Sequence, residues 1–172
     1  MKTGGFTLLE LLVVLAIAGI LAAIAVPLAG AARARSQSAA CLANLQGLGT
    51  ALNAYLGDHN MVMPSLAAGR RSLDEEVPVI DNTLNAYAGD KKAFACPSDR
   101  SLAAATGTSY YWNSALSGQS TVSLNLFGIV SDMSRIPVLV DKEGWHRHSA
   151  DKVNHLFADG HVQNRLRLFS NP

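Results

Sequence analysis

Charge is missing from one part of this chain and balanced everywhere else. No charged side chain lies between Leu11 and Ala32, whereas the residues after Arg33 intersperse Lys, Arg, Asp and Glu as a soluble domain does. With 14 Lys and Arg against 13 Asp and Glu there is no basic stripe, so nucleic acid is not indicated as a partner. The sequence also lacks an HExxH, a nucleophile motif and an Asp-rich loop of calcium-binding spacing. Cysteine is scarce, with only two residues. A composition of 49% hydrophobic and 16% charged residues is too polar for a multi-span membrane protein and rather apolar for a wholly soluble one. The excess is local. It implies one membrane-embedded segment joined to one globular domain of roughly 115 residues, enough to bury a real core.

What is present begins with the apolar run itself. From Phe6 to Ala29 it is long enough to cross the hydrocarbon core, roughly 30 Å thick, as a helix. A cleavable secretory signal is the competing reading, because AGILAAIAVPLAGAA is rich in the small residues of a cut site. Against it stand the very short head MKTGG and the acid Glu10 inside the apolar stretch. An ionisable group in a membrane segment marks a functional site by default, although one turn from the segment's start it can also snorkel to the headgroups.

Gly5-Phe6-Thr7-Leu8-Leu9-Glu10, followed at once by an unbroken apolar helix, resembles the processing and methylation signal of type IV prepilins and of the pseudopilins of type II secretion systems. The resemblance implies cleavage by a prepilin peptidase/methyltransferase between Gly5 and Phe6, and N-methylation of Phe6. It further implies that Glu10 pairs with the N-terminal amine of a neighbouring subunit during assembly. A carboxylate at mid-membrane costs about 2.5 to 3.5 kcal/mol, and less near an interface. An ammonium from a second chain offsets part of that cost only at the correct axial stagger, so Glu10 would act as a register device. Loss of Lys2 with the leader leaves one fewer than the 14 basic residues, equal in number to the 13 acidic ones. Lys2 before the span and Arg33 and Arg35 after it would, by flanking charge, put the C-terminal domain in the cytoplasm. The resemblance puts it outside, since large domains translocate with little regard to charge.

The helical pattern continues past the span. Cys41, Leu45, Leu48, Leu52, Tyr55 and Leu56 form one stripe at helical spacing. A helix from Phe6 to about Leu56 would reach about 75 Å at 1.5 Å per residue and protrude beyond its own domain. Gly19 and Pro27 weaken it. Their positions resemble those flanking the segment that loses helicity when type IV pilins pack, so 19–27 is expected to stretch on assembly.

Asp58 to Asp99 is the least regular part. Gly57-Asp58-His59-Asn60 reads as a helix stop, and Pro64, Gly69 and Pro78 as loop breaks. Asn82 is expected to cap a short helix through Tyr87, ended by Gly89. Cys41 and Cys96 can remain buried thiols or, if the domain is exported, form a disulfide contributing about 4 kcal/mol on the chain-entropy model. The helix followed by Cys96-Pro97-Ser98-Asp99 resembles the arrangement in a subgroup of pseudopilin-like proteins. Strands are expected at Thr108 to Asn113 and Ile136 to Asp141, and a hairpin from Val153 to Leu168 about a two-residue Asp159-Gly160 turn. That register sets Phe157 opposite Val162 and Val153 opposite Leu166 on the core face.

His146, His148, His155 and His161 crowd this region near Asp141, Glu143, Asp151 and Asp159. Such a cluster is the best sign of metal binding or acid-base chemistry, with His146, His148 and Asp159 as the candidate ligands. The hairpin register puts His155 and His161 on opposite faces, which favours simply solvated loop histidines. The stretch from Arg147-His148-Ser149 to His161-Val162 resembles the H-X9-DG ending of prepilin-like proteins, with ten residues instead of nine between His148 and Asp159. Related pseudopilins bind calcium in C-terminal loops, and Asp132, Asp141, Asp151 and Asp159 offer oxygen ligands. No other cofactor is expected.

The expected architecture is therefore α+β and pilin-like: leader 1–5, long N-terminal helix 6–57 with 6–29 in the membrane or filament core, and globular domain 58–172 with a small antiparallel sheet. The expected function is structural, not enzymatic: a subunit of a type II secretion pseudopilus or type IV pilus-like filament. Its partners would be copies of itself, related pilin-like subunits, the prepilin peptidase and an inner-membrane assembly platform. The precursor would sit as a single-pass protein in a bacterial inner membrane, and the filament would be periplasmic or extracellular. The rival is a membrane-anchored metal- or ligand-binding module built on the His/Asp cluster.

Overall fold

The computed structural model describes residues 7–146 and 151–166. Helix α1 runs Leu8–Asp58 without a break. It is followed by the short helices α2 (Ile80–Thr83) and α3 (Leu102–Thr106) and by four strands: β1 (Tyr110–Trp112), β2 (Pro137–Asp141), β3 (His155–Phe157) and β4 (Val162–Gln163). Two compact units divide the chain between Ser36 and Gln37, inside α1.

In the first unit α1 is apolar on every side and its large side chains from Leu8 to Leu28 are all exposed. Ala and Leu dominate this stretch, and both are strong helix formers. The helix passes through Pro27 despite the missing N–H at that residue. It is the one helix among the described residues long and apolar enough to cross a membrane.

The second unit begins with the amphipathic part of the same helix. Cys41, Leu45, Leu48, Gly49, Ala51, Leu52 and Leu56 are buried there, and Tyr55 only partly. This is the stripe that the spacing of apolar residues predicts, one face of a 3.6-residue period. Each large aliphatic side chain in it contributes roughly 2 kcal/mol on burial. The helix ends where His59 and Met61 both donate to the Leu56 carbonyl, with Asn60 and Met61 in the left-handed region at φ 53° and 58°. Two consecutive residues there cannot continue a right-handed helix.

The four strands form one antiparallel meander in the order β1-β2-β3-β4. Leu156 of β3 lies against α1 at Gly49, where an added Cβ would come within 2.9 Å of Leu156 Cδ1. A glycine at that point leaves room for the Leu156 methyl against the helix, and an added Cβ would force that side chain to shift. The fully buried Tyr110, Trp112, Leu116, Ile136, Val138, Leu139 and Leu156 complete the core with the helical stripe. The long connection after α1 is tied down by backbone bonds such as Met63 N to Gln119 O (2.8 Å) and Trp112 N to Ala68 O (2.9 Å).

Two expected local structures differ. The C-terminal hairpin pairs His155 with Gln163 and Leu156 with Val162, while Phe157 N donates to His161 O, so Phe157 faces His161 and not Val162. Three residues, Ala158 to Gly160, make the turn, with Gly160 at φ +88° and its N–H donating to Phe157 O. A three-residue loop that ends in a left-handed glycine is the next most common hairpin solution after the two-residue turn. Val162 keeps its place against the core but faces Leu156 in place of Phe157, and it is Leu156 that packs on α1. Val153 has no pairing with Leu166; Leu166 N instead donates to Asp151 Oδ2 at 2.7 Å. In α2, Asn82 lies inside the helix instead of capping one that starts at Thr83. Its Oδ1 accepts from Val79 N at 2.9 Å and its Nδ2 donates to Val77 O. An amide side chain reaching back to the residue before the helix satisfies an otherwise orphaned backbone donor.

Candidate functional site

At the N-terminal end, Gly5 and Phe6 lie outside the described residues, and the first side-chain contact among the described residues involves Glu10. Its Oε2 accepts from Thr7 N at 2.9 Å and from Thr7 Oγ1 at 2.8 Å, while Glu10 N donates to Thr7 Oγ1 at 3.2 Å. This is a reciprocal capping box, and the signal for it, Thr-x-x-Glu before an apolar run, stands in the sequence as TLLE. The acid therefore has a local role in addition to any intermolecular one. It starts the helix. Gly19 and Pro27 follow inside continuous helix, and around Gly19 nothing lies within 4 Å of an added Cβ.

In the second unit Cys41 of α1 and Cys96 form a disulfide that spans 55 positions of sequence. Both are buried, so the bond ties the middle of the helix to the irregular segment ahead of α3. Asp99 organises that segment. Its Oδ1 accepts from Ser101 N (2.9 Å) and Leu102 N (2.8 Å), and its Oδ2 from Ala103 N (2.7 Å) and Ser109 Oγ (2.6 Å). Ser109 Oγ in turn accepts from Cys96 N at 2.9 Å. Burial pushes the Asp99 carboxyl up, but the bonds from Ser109, Ser101, Leu102 and Ala103 outweigh it and hold the group below the usual carboxylate range. The Cys-Pro-Ser-Asp stretch thus acts as one structural piece, a disulfide half joined to a helix cap.

Beside the disulfide lies a buried polar group. His146 Nε2 is 3.8 Å from Cys96 Sγ and 3.1 Å from Asp141 Oδ2, and both His146 and Asp141 are almost fully buried. Asp141 Oδ2 also accepts from Asn154 N at 2.7 Å, whereas Asp141 Oδ1 and the Asn154 side chain have no hydrogen-bond partner among the described residues. Tyr110, paired with Asp141 across β1 and β2, is fully buried. Burial, then the nearby Asp141 charge, holds its phenol above the ordinary range.

Two of the histidines are not solvated. His146 and His155 are buried, and His155, Phe157 and His161 share one face of the hairpin instead of lying on opposite ones. Phe157 and His161 stack at 4.4 Å between ring centroids, and His155 lies 6.1 Å from Phe157. The pairing of 157 with 161 produces this, because residues that face each other across an antiparallel pair share a face. Burial holds the His155 imidazole below its ordinary value against the opposing pull of Asp151 and Asp141. Asp159 accepts from the His161 backbone N–H and contacts its ring. Of the sequence's metal candidates, His146 therefore keeps company with Cys41 and Cys96, Asp159 with His161, and His148 lies outside the described residues.

Compared with known families, residues 1–26 match the prokaryotic N-terminal methylation motif. No curated protein and no solved structure matches the chain. The motif supports a type IV pilin-like or pseudopilin precursor and points to a structural subunit rather than an enzyme; the H-X9-DG ending has no such support. The long apolar helix and the small four-stranded antiparallel sheet form an α+β, pilin-like architecture.

Proposed function

We propose that the chain is a polymerising subunit of a type II secretion pseudopilus or type IV pilus-like filament. The observation that carries the reading is the methylation motif at residues 1–26, which includes the start of a helix whose large side chains from Leu8 to Leu28 are exposed. Such a surface needs lipid in the precursor and other helices in the filament, because an exposed apolar area of that size is not stable in water.

In this reading a prepilin peptidase cuts after Gly5 and methylates Phe6, residues 6–29 hold the precursor in the inner membrane, and the domain from 58 onwards sits outside. An oxidised Cys41–Cys96 pair suits an exported domain. The capping box adds a step. Glu10 is already bonded to Thr7, so an incoming N-terminal amine would have to share or replace those bonds to reach the carboxylate. The segment 19–27 is the place where the helix would stretch on packing, since Gly19 and Pro27 bound it. Mass spectrometry of the mature N-terminus tests the reading: N-methylated Phe6 is expected, and a cut near Ala29 or Ala32 would overturn it.

A further inference from the structure

We propose that Cys41, Cys96 and His146 form a thiophilic metal site when the disulfide is reduced, with Asp141 as the fourth donor. The chemistry it would take is that of a divalent, tetrahedral ion such as Zn²⁺. The inference stands on the domain alone and does not depend on the filament reading.

Four observations meet at this point. The ligand atoms of Cys41, Cys96 and His146 all lie within 4.8 Å of one another, and all three residues are buried. In a tetrahedral zinc site with Zn–S near 2.3 Å and Zn–N near 2.0 Å, the donors stand roughly 3.5 to 3.8 Å apart. Cys96 Sγ and His146 Nε2 are already at 3.8 Å. Asp141 Oδ2 is 3.1 Å from the same nitrogen, and Asp141 Oδ1 is buried with no hydrogen-bond partner among the described residues. Once the sulfur–sulfur bond is open, a side-chain rotation at each cysteine would let two thiolates and the imidazole close on one ion, with the Asp141 carboxylate beside the imidazole. The donors come from four separate places, α1, the segment before α3, the end of β2 and the turn after it, so a metal would join the two elements that the disulfide joins and add two more.

The two states interconvert by a balanced exchange. An external dithiol attacks the Cys41–Cys96 bond and leaves as a disulfide, and the protein gains two thiols. A Zn²⁺ ion then displaces the two thiol protons and bonds to both sulfurs and to Nε2 of His146. Oxidation by an external disulfide reverses the sequence and expels the ion. The bridge and the ion therefore exclude each other, which makes metal content a readout of redox state.

The test uses the full chain in detergent micelles. Anaerobic protein reduced with a phosphine, which takes up oxygen from water as the disulfide becomes two thiols, is titrated with Co²⁺ and then with Zn²⁺ against a chromophoric chelator. One equivalent of Co²⁺ with thiolate charge-transfer and tetrahedral d–d bands is expected for the reduced chain, and none for the oxidised chain. His146→Gln should weaken binding by at least about 100-fold, beyond the 10- to 100-fold typical of losing an outer-shell partner. His146→Cys should retain binding and strengthen the charge-transfer band. Circular dichroism covers the case in which reduction alone unfolds the domain, since added Zn²⁺ should then restore the helical signal. Failure of the reduced chain to bind and to refold overturns the proposal, as does binding that His146→Gln leaves unchanged.

Discussion

The two halves of α1 have the same secondary structure and opposite surroundings. Up to Leu28 its large apolar side chains are exposed without exception, while from Cys41 to Leu56 a single stripe is buried, flanked by half-buried Leu42, Asn44 and Tyr55, and the remainder is exposed. Backbone hydrogen bonding does not distinguish them. The difference lies in how apolar residues are distributed around the axis, all round in the first half and on one face in the second. The lesson is that a helix in this chain is decided locally, and its solvent is decided by its pattern.

Substitutions should separate the halves, and the largest effect is expected at the bridge. Cys41→Ala with Cys96→Ala, measured by chemical denaturation of the domain in detergent, should cost about 4 kcal/mol for a closed loop of this length. Next, the same change at two points of one helix gives the most direct contrast. Leu48→Ala should lower domain stability by about 3 kcal/mol through the cavity it leaves, whereas Leu15→Ala should leave it within about 0.5 kcal/mol.

A smaller effect belongs to Asp99 and His155. Asp99→Ala removes a cap and a link to Ser109, and should cost about 2 kcal/mol at neutral pH. Because the Asp99 carboxyl is held low in the folded state, its contribution is present above its unfolded pKa, near 3.8, and lost as pH falls below it. His155 is held below the ordinary value of 6.5, so the unfolded chain binds the proton first. Domain stability should therefore fall as pH drops below about 6.5, and His155→Phe should flatten that slope in a pH series of denaturation midpoints.

The smallest expected effect on the domain is that of Glu10→Gln, within about 0.5 kcal/mol, since Glu10 bonds to Thr7 within the first unit. The same variant should fail to enter filaments when co-expressed with wild-type chain and assayed by pulldown of sheared fibres. Incorporation at the wild-type level would remove Glu10 from the assembly mechanism and leave it as a helix cap.

Much of this was legible in the primary structure. The stripe from Cys41 to Leu56 and strands β1 and β2 follow from periodicity and β-branched or aromatic content, because these signals are local. The Thr7–Glu10 box was equally local, in TLLE, but the question of what Glu10 does between chains masks what it does within one. The hairpin register was not legible. An Asp-Gly pair suits both a two-residue and a three-residue turn, and the choice falls on packing Leu156 against the bare backbone at Gly49.

Taken alone, the sequence determined the long helix, its change from all-round to one-sided apolarity, the processing motif and the presence of a sheet. Each depends on residues within a few turns of one another. Only the tertiary structure decided that Cys41 meets Cys96, that His146 and Asp141 lie beside that bond, and that two of the histidines are buried. Contacts between residues 50 or more positions apart depend on how distant segments share one core, and no local pattern encodes that arrangement.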